Sequence, residues 1–591
     1  MRDPDAARRG YDGPTRPDND AGPPAVTCSN DKELFGVFGD RDRFDANVGD
    51  RRFDEVLDGE CVTVGVRSPG LGIPNRTSVA DDETGVCAVW GEAFVPAGRS
   101  QTPAAWLLDA FAERGTDALA DLNGSYLAVV EHDGEAIVAT DPVRSWACYY
   151  TDEPGVRVFG TDATAVARTM VDPVRDRQAI GEFLHLGVVL GEKTAFEDLH
   201  RAPVDAYLTA SDVTTLDRFV HEPREFDYVD ELADRLERAM TRRSHYPGTK
   251  GMMLSAGYDS RLLLSQIPDI DVAFTVGHPQ AQETQGARDL AHQYDTRHVA
   301  FEPSRRYIEP TDEKVQYSQG IKESLHIHHA GYDDEVGVDT MYHGLLCDTF
   351  LTGHFLKQDY VHGFGKRLPL PRLDPDPDPV EALLDKFGYV EGGSTALAEQ
   401  VGIAADDPHG FVREAVGREV EKARARADDI QNVIDVAGIS NQPSIPFRRH
   451  LFDNYLESFF VLDTALIDWH LSAPPEHRNT KTFLDACRQL DPDILENRPP
   501  DRPHDSHTLN QIELFARRTL PLLDPFESAW PDRRDIYERN DMDEHLFPNT
   551  QRLHDLPVRH KLRVNDVVDW TAMAAGTERR TPYWLVPPGT V

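Results

Sequence analysis

Cysteine pairs, long apolar runs and lysines are scarce in this 591-residue sequence, and each scarcity argues against a class of protein. No stretch of about 18 apolar residues is present, so the sequence predicts no membrane-spanning helix and no membrane partner. The N-terminus lacks the apolar segment of a secretory signal, which favours a cytoplasmic protein. The six cysteines lie far apart without a C-x-x-C pair, so neither a zinc site nor a disulfide framework is expected.

Basic residues are far fewer than acidic residues in this sequence. The 62 Lys and Arg residues stand against 102 Asp and Glu residues, which gives a net charge of −40 at pH 7. Such a surface repels the phosphate backbone, which argues against a nucleic-acid partner. The acidity is spread along the chain, as in the coat of a halophilic protein. In molar salt the Debye length falls to about 3 Å and this self-repulsion is screened.

Composition and periodicity divide the chain, which is too long for one core, into three parts. Residues 1–30 are rich in Pro, Gly, Asp and Arg without periodicity, which predicts a disordered leader. Residues 31–215 carry short β-branched and aromatic runs, two helical stretches and a His-Asp-Gly-Glu hairpin signal, which predicts an α+β domain. Residues 225–591 begin with an amphipathic helix and alternating strands and helices, including a strand at 271–278, which predicts a parallel sheet. They continue as a mostly helical region broken by Pro-rich loops such as LPLPRLDPDPDPV (368–380).

The stretch KGMMLSAGYDSRLLLSQ (250–266) places small and acidic residues where a strand passes into a helix. Small residues there let a ligand approach the backbone, and the helix N-terminus attracts anions. Ser255 and Ser260 can donate hydrogen bonds to phosphate, whereas Asp259 tolerates phosphate only through a divalent cation. The structural alternative makes Ser255 an N-cap, Gly257 a turn residue and Asp259 a partner of the helix dipole. The pattern alone leaves both interpretations open.

LSAGYDSRLLLS (254–265) resembles the pyrophosphate-binding loop of the asparagine synthetase family, Leu-Ser-Gly-Gly-x-Asp-Ser, with Ala256 in place of the first glycine. Later segments are similar to family segments in the same order: FTVGH (274–278), QETQGARDLAHQYDTRHVAF (282–301), VDTMYHGLLCDTFLTGHF (338–355) and FFVLDTALIDWHLSAPPEHRNTKTFLDACRQLDPDIL (459–495). Residues 33–168, with FGVFG (35–39) and GEAFV (91–95), resemble the glutaminase half of glutamine-dependent members. The resemblance covers most of the chain.

This resemblance implies a fold, a site and cofactors. The fold is an αββα glutaminase-like domain of the N-terminal-nucleophile type, followed by an α/β ATP-pyrophosphatase domain with a helical C-terminal part. Asp259 and Asp348 match the family's catalytic, magnesium-binding carboxylates. The implied cofactors are ATP and Mg²⁺, the substrate is aspartate or a related carboxylate, and a homodimer is one assembly. The implied ATP contacts are Leu254, Ser255, Ala256, Gly257, Asp259, Ser260, Val276, His343 and Gly344.

The glutaminase half departs from the family at its catalytic residues. Phe35 stands where the nucleophilic cysteine is expected, and a phenylalanine cannot attack an amide. Cys28 lies seven residues too early. Trp90 precedes Gly91-Glu92 where the amide-binding motif has asparagine. We expect no glutaminase activity, and ammonia or an amine rather than glutamine as the nitrogen donor.

The synthetase half departs from the family as well. Leu345 replaces the loop glutamate, Thr349 the acid after Asp348, and Pro500 the late lysine. Arginines remain as sources of positive charge for the phosphates, although arginine does not shuttle protons; these are Arg261, Arg498 and Arg502.

The sequence therefore predicts an asparagine synthase-related, AMP-forming ligase that activates a carboxylate as an acyl-adenylate and releases pyrophosphate. One alternative is a non-catalytic nucleotide-binding regulator or scaffold. Another is an ATP-pyrophosphatase that acts on a larger acceptor, such as a glycan or peptide carboxylate. The histidines of HIHHAG (326–331) are compatible with a metal cluster but are more typical of a polar loop.

Overall fold

Two antiparallel sheets and one parallel sheet organise the chain. The computed structural model describes residues 32–152, 155–363, 365–403, 406–442 and 445–577. The leader at 1–30 and Cys28 lie outside the described residues. No helix within the described ranges is both long enough and apolar enough to cross a bilayer.

The N-terminal part is a sandwich of two six-stranded antiparallel sheets, with strand orders β10-β8-β9-β1-β3-β2 and β12-β11-β7-β6-β5-β4. The predicted hairpin is confirmed between β6 and β7, where Asp133 and Gly134 both have positive φ. The strands are β1 (Glu33–Val37), β2 (Glu55–Asp58), β3 (Thr63–Arg67), β4 (Ser78–Asp82), β5 (Gly85–Phe94), β6 (Asn123–His132), β7 (Glu135–Thr140), β8 (Tyr149–Thr151), β9 (Val158–Gly160), β10 (Leu199–Arg201), β11 (Ala206–Leu208) and β12 (Val213–Thr215).

Strand alternation sends neighbouring side chains of β1 to different layers. Leu34 packs between the two sheets, whereas Phe35 packs on the opposite face of its sheet against a helical layer. A further helix, α2, covers the outer face of the second sheet. The layers thus follow the order α-β-β-α. The helices of this part are α1 (Arg41–Val48), α2 (Pro103–Arg114), α3 (Ala163–Ala167) and α4 (Arg177–Leu186).

The second part contains a five-stranded parallel sheet in the order β15-β14-β13-β16-β19. Its strands are β13 (Lys250–Met253), β14 (Val272–Val276), β15 (Arg297–Phe301), β16 (Thr340–Tyr342) and β19 (Leu456–Ser458). The chain adds β14 and β15 on one side of β13 and then crosses back to add β16 and β19 on the other. The crossovers therefore reverse direction between β13 and β16, where open α/β sheets bind their ligands.

Helices accompany this sheet, and a separate antiparallel hairpin, β17 (Gln358–Gly363) and β18 (Lys366–Leu373), follows in sequence and packs against the helix at His507–Thr519. The Pro-rich segment from 368 was predicted to be a loop, and that prediction is wrong for its first residues, because Pro369 and Pro371 are tolerated in a strand with only one partner. The helices are α5 (Tyr228–Arg243), α6 (Tyr258–Gln266), α7 (Gln282–Gln293), α8 (Arg305–Ile308), α9 (Asp312–Tyr317), α10 (Cys347–Leu351), α11 (Pro379–Phe387), α12 (Glu391–Val401), α13 (Pro408–Ala423), α14 (Ile430–Ser440), α15 (Ile445–Asn454), α16 (Thr464–Ser472), α17 (Thr480–Leu490), α18 (His507–Thr519), α19 (Arg533–Arg539), α20 (Met542–Leu546) and α21 (Val558–Ala574).

The two parts share buried surface. Phe35 of β1, Phe274 of β14 and Trp570 of α21 belong to one apolar cluster. The connection near 216–224 is not a free linker, since Phe219 is fully buried and the His221 N–H donates to the Arg426 carbonyl at 2.9 Å. The sandwich therefore packs directly on the α/β part.

Candidate functional site

The turn between β13 and α6 carries a pair of serine hydroxyls at the carboxyl edge of the parallel sheet. Leu254 is buried, and its N–H donates to the Phe274 carbonyl at 2.8 Å. Ser255 is exposed, and its Oγ lies 3.3 Å from the Oγ of Ser260, which donates to the Ser255 carbonyl at 2.9 Å. The N-cap of α6 is Gly257, which makes no side-chain capping bond. The interpretation of Ser255 as the N-cap is therefore wrong.

Ala256 fits this turn because helix α7 presents a glycine to it. A Cβ on Gly286 would come within 2.9 Å of the Ala256 Cβ, so the alanine methyl takes the space that a side chain at 286 would need. The Ala256 N–H donates to the Glu283 carboxylate at 2.8 Å, and burial raises the pKa of Glu283. Two donors of the turn are thus satisfied by the protein, the Ala256 N–H and the hydroxyl of the buried Ser260, which leaves the Ser255 hydroxyl and the first turn of α6 for an anion.

Arg261 holds the turn instead of facing a ligand. Its side chain is almost fully buried. Its guanidinium donates at 2.7–2.9 Å to four backbone carbonyls, those of Ala256, Gly257, Ile494 and Asn497. Arg261 therefore ties the turn to the segment after α17, which corrects the expectation that it faces phosphate.

The two other arginines lie nearer to solvent. Arg498 pairs with Asp505 at 2.6 Å. The guanidinium of Arg502 lies 4.9 Å from the Tyr258 ring, and its positive charge acts to lower the pKa of Asp259. Arg502 is 44% exposed, so it is the arginine that combines proximity to Asp259 with freedom to move toward an anion.

Asp259 and Asp348 occupy the first turns of two helices that begin on either side of the switch point. Asp259 follows β13 in α6, and Asp348 follows β16 in α10. Gly344 brings the two loops together, because a Cβ at this glycine would lie 2.9 Å from the Asp259 Cβ. Leu346 caps α10 with a left-handed backbone (φ 63°), which turns the chain sharply after β16.

The two carboxylates have opposite pKa shifts. Burial, together with the negative charge of Asp348, raises the pKa of Asp259 to about 7. The Asp348 side chain is 52% exposed. Partial desolvation opposes its ionisation, but His354, whose Nδ1 lies 3.1 Å from its Oδ2, and the Thr349 N–H at 2.8 Å hold the pKa of Asp348 below its usual range. Repulsion between two acids that share a cleft is relieved by a proton or by a cation. These two residues are therefore suited to hold Mg²⁺ through oxygen ligands.

The remaining predicted contacts lie around the same edge with different degrees of access. Val276 ends β14 and is partly buried. The His343 side chain is buried, and its Nε2 lies 2.8 Å from the Oε1 of Glu457, which Arg448 holds with two further bonds of 2.8 and 2.9 Å. The His343 side chain is thus occupied by Glu457 in the interior, and only the His343 backbone is placed to contact a ligand. Gly344 is partly exposed.

Three residues of this edge escaped sequence analysis. Glu283 and His354 bond directly to the turn and to Asp348, but nothing in their local pattern marks them. Lys386 on α11 and Asp348 interact electrostatically, while burial lowers the pKa of Lys386. The substituted positions also lie here, since Pro500 packs beside Gly286 and Thr349 accepts a bond from Gln442 at 3.0 Å.

A cavity of about 830 Å³, which we name the Tyr258 pocket, adjoins this edge. Tyr258, which precedes Asp259, and Thr352, whose hydroxyl donates to the Asp348 carbonyl at 3.1 Å, form one wall. The hairpin and the first turns of α17 and α18 form the others; representative residues are Gln358, Arg372, Lys481, Leu484 and Thr508.

The position expected for the glutaminase nucleophile is filled by packed hydrophobic side chains. Phe35 is fully buried against Phe44 and Phe53, and the Arg51 guanidinium lies 3.9 Å from its ring centroid. Such a ring offers neither a nucleophile nor space for one.

The Trp90-Gly91-Glu92 segment is likewise buried. Trp90 is in contact with Trp146 and Phe452. Glu92 pairs with Arg243 at 2.8 Å and accepts a bond from the Tyr246 hydroxyl at 2.5 Å. Both residues therefore belong to the junction between the two parts of the chain.

The histidines of the 326–331 segment do not converge. His326 bonds to Glu323 at 3.0 Å, whereas His328 and His329 pack their rings 4.1 Å apart. One group of metal-ligating types does converge within the described residues, His221, Asp435 and His470. The guanidinium of Arg478 already pairs with Asp435 there, so this buried group has its counter-charge.

Comparison with known proteins finds no family model and no curated protein that matches this chain. Among solved structures, the chain is similar to a glutamine phosphoribosylpyrophosphate amidotransferase from B. subtilis complexed with ADP and GMP, at 12% identity over 52% of this chain and 74% of that chain, with a TM-score of 0.23. It is also similar to a structure described as the allosteric regulatory enzyme of purine biosynthesis, at 12% identity over 54% and 75%, with a TM-score of 0.21. Scores of this size describe a partial overlap and carry no weight for function.

Proposed function

We propose that this chain is an ATP-dependent, AMP-forming ligase of the asparagine synthase-related type. A carboxylate oxygen of the acceptor attacks the α-phosphorus of ATP, the bond to the β-phosphate bridging oxygen breaks, and pyrophosphate leaves. Ammonia or an amine then attacks the acyl carbon, AMP departs, and the nitrogen loses a proton to solvent. Such chemistry depends on orientation and on charge stabilisation more than on a protein nucleophile.

The observation that carries this proposal is the paired carboxylates at the switch point. Asp259 and Asp348 follow neighbouring strands of the sheet, the loop that leads to Asp348 touches Asp259 at Gly344, and burial together with the charge of Asp348 raises the pKa of Asp259 to about 7. Mg²⁺ held by this pair would supply charge neutralisation for the pyrophosphate. The aspartates bind and orient, while the Ser255 hydroxyl and the N–H groups in the first turn of α6 donate to phosphate oxygens. Ser260, whose hydroxyl donates to the Ser255 carbonyl, holds the turn.

The positive charges near the pair are unlike those of the family pattern. Pro500 stands where the asparagine synthetase family has its late lysine, and it packs against Gly286. Arg502 and Lys386 both interact electrostatically with one of the two aspartates. We assign Arg502 to charge stabilisation, since an arginine stays protonated, and Lys386 to the orientation of Asp348.

The nitrogen donor in this proposal is free in solution. Phe35 fills the nucleophile position with a buried ring, and Glu92 is paired with Arg243. The test is pyrophosphate release from ATP in molar KCl with ammonium, screened over carboxylic acids. Turnover that depends on a carboxylate supports the ligase, and its absence with every acid contradicts it.

A second candidate is a nucleotide-binding regulator without turnover. The observation that favours it is the Glu283 carboxylate, which takes the Ala256 N–H of the turn at 2.8 Å. Leu345 and Pro500 replace the loop glutamate and the late lysine of the family. In this candidate the chain binds ATP but does not catalyse its cleavage. Mg²⁺-dependent ATP binding with no pyrophosphate release under any condition would select this candidate.

A further inference from the structure

The Tyr258 pocket borders the two helices, α6 and α10, that carry the aspartates of the proposed reaction centre. Tyr258 directly precedes Asp259 in α6. Thr352 is the residue directly after α10, the helix that carries Asp348. Both residues line the pocket. The pocket therefore borders the two helices that carry the aspartates, although neither aspartate lines it.

The size of the pocket exceeds what a free amino acid needs. Its volume of about 830 Å³ lies near the upper end of the roughly 300–1,000 Å³ that pockets for drug-sized ligands span. A molecule as small as aspartate would leave most of this space to water and would gain little from burial there. The dimensions favour an extended ligand.

Charges of both signs surround an apolar base. Leu356 and Leu484 are buried at the base. On the rim, Lys481 pairs with Asp485 at 2.7 Å, and both line the pocket. Paired charges around an apolar base complement a chain that alternates polar backbone groups with apolar or charged side chains.

Arg372 adds a guanidinium, already paired with an aspartate, to one wall of the pocket. It lies on the β18 wall, is 70% exposed, and pairs with Asp359 at 2.6 Å. Another wall of the pocket carries the first turns of α17 and α18, which Asn479 and Ser506 cap. The positive ends of these two helix dipoles also favour negative groups. The walls also carry acidic side chains, so they suit a ligand with charged groups of both signs; these acids are Glu476, Asp485 and Asp505.

We propose that the acceptor is a peptide, and that the Tyr258 pocket binds its chain while one of its carboxylates reaches the switch point. This inference rests on the proposed ligase function. Peptide binding orients the carboxylate for attack on the α-phosphorus, so the pocket determines specificity and takes no chemical part. A free amino acid lacks the groups that the distal walls contact.

The test compares free aspartate with tetrapeptides to hexapeptides that carry one aspartate or glutamate. Pyrophosphate release by the full chain in molar KCl is measured with each acid, and Mg²⁺-dependent ATP binding is measured by calorimetry in parallel. We expect at least a hundredfold higher kcat/KM for the better peptides than for aspartate. Equal or better turnover of a free amino acid would overturn the peptide proposal, as would intact ATP binding with no peptide that binds or reacts. Absence of ATP binding would instead overturn the function on which it rests.

A matched pair of variants places the peptide. Thr508 is exposed and lines the pocket, whereas Arg518 is exposed on the same helix and does not line it. Thr508→Trp should raise the KM for the peptide at least tenfold and leave the Kd for Mg·ATP unchanged, while Arg518→Trp should change neither. A KM that is unaffected by Thr508→Trp, or raised equally by both variants, would contradict the pocket as the peptide site.

Discussion

Gly344 lies so close to Asp259 that no side chain fits between them, since a Cβ at 344 would come within 2.9 Å of the aspartate Cβ and 3.3 Å of the Ser260 nitrogen. This contact joins the loop after β16 to the first turn of α6. It fixes the position of Asp259 relative to Asp348, which lies four residues beyond the glycine. The separation of the two carboxylates thus depends on a backbone contact.

Replacing this glycine tests that dependence. Gly344→Ala must push the α6 turn away, because the clash is with the Cβ and backbone of Asp259. We expect the affinity for Mg·ATP to fall at least about tenfold, equivalent to about 1.4 kcal/mol. Calorimetric titration measures this. Gly337→Ala is the control, as its added Cβ meets nothing within 4 Å. Equal affinities in both variants would show that the contact does not position the site.

The titration of Asp259 predicts a pH dependence of cation binding. Because burial and Asp348 raise the pKa of Asp259 to about 7, this carboxyl is protonated below that pH and must release its proton when Mg²⁺ binds. Affinity should rise about tenfold per pH unit up to about pH 7 and then level off. Calorimetry in buffers of different ionisation enthalpy counts the proton released at pH 6. Asp259→Asn should abolish both effects, and a pH-independent affinity in the natural chain would contradict the assignment.

Arg261 provides a test of how the turn is held. Removing its guanidinium leaves up to four carbonyls without their donor, each at a cost of about 1–3 kcal/mol. We expect Arg261→Lys to lower the free energy of unfolding by roughly 3–5 kcal/mol, since one ammonium cannot reach all four. Arg498→Lys, at an exposed ion pair, should cost no more than about 1 kcal/mol. Similar melting temperatures for the two variants would count against this role of Arg261.

The order of elements near the site could be predicted from sequence, because it rests on local patterns. The strand at 250–254, the turn and the following helix are confirmed as β13 and α6, and the strand at 271–278 contains β14. The apolar runs end in small residues or glycine, which marks the carboxyl ends of parallel strands. Such signals fix what each segment is.

The partners of these segments could not be predicted in the same way. The Glu457 that bonds His343 lies 114 residues away, on β19, a three-residue strand too short to show periodicity. The sequence suggests Arg261 as a source of positive charge for phosphate, but its guanidinium is buried against a segment more than 230 residues away. The hairpin strand β18 was mistaken for a loop because prolines usually exclude a strand with two neighbours. Long-range packing decides these cases.

The buried Phe35 ring leads to two predictions for the glutaminase-like half, one on stability and one on glutaminase activity. Its buried ring fills a cluster with Phe44 and Phe53, so Phe35→Cys should cost about 3–5 kcal/mol through the cavity it leaves. We expect no glutamate release from glutamine by the natural chain, by Cys28→Ala or by Phe35→Cys. A coupled glutamate assay with thermal melting of each variant provides the measurement. Glutaminase activity that persists in Cys28→Ala would contradict this expectation.

Calorimetric titration of ATP into the full chain in molar KCl, with and without Mg²⁺, tests the carboxylate pair most directly. The natural chain should bind ATP only with Mg²⁺, and Asp259→Asn and Asp348→Asn should each lower that affinity at least about tenfold, or about 1.4 kcal/mol. Asp289→Asn, an exposed aspartate on α7, should leave it unchanged. ATP binding that ignores Mg²⁺, or that survives in both aspartate variants, would contradict a nucleotide site at the switch point.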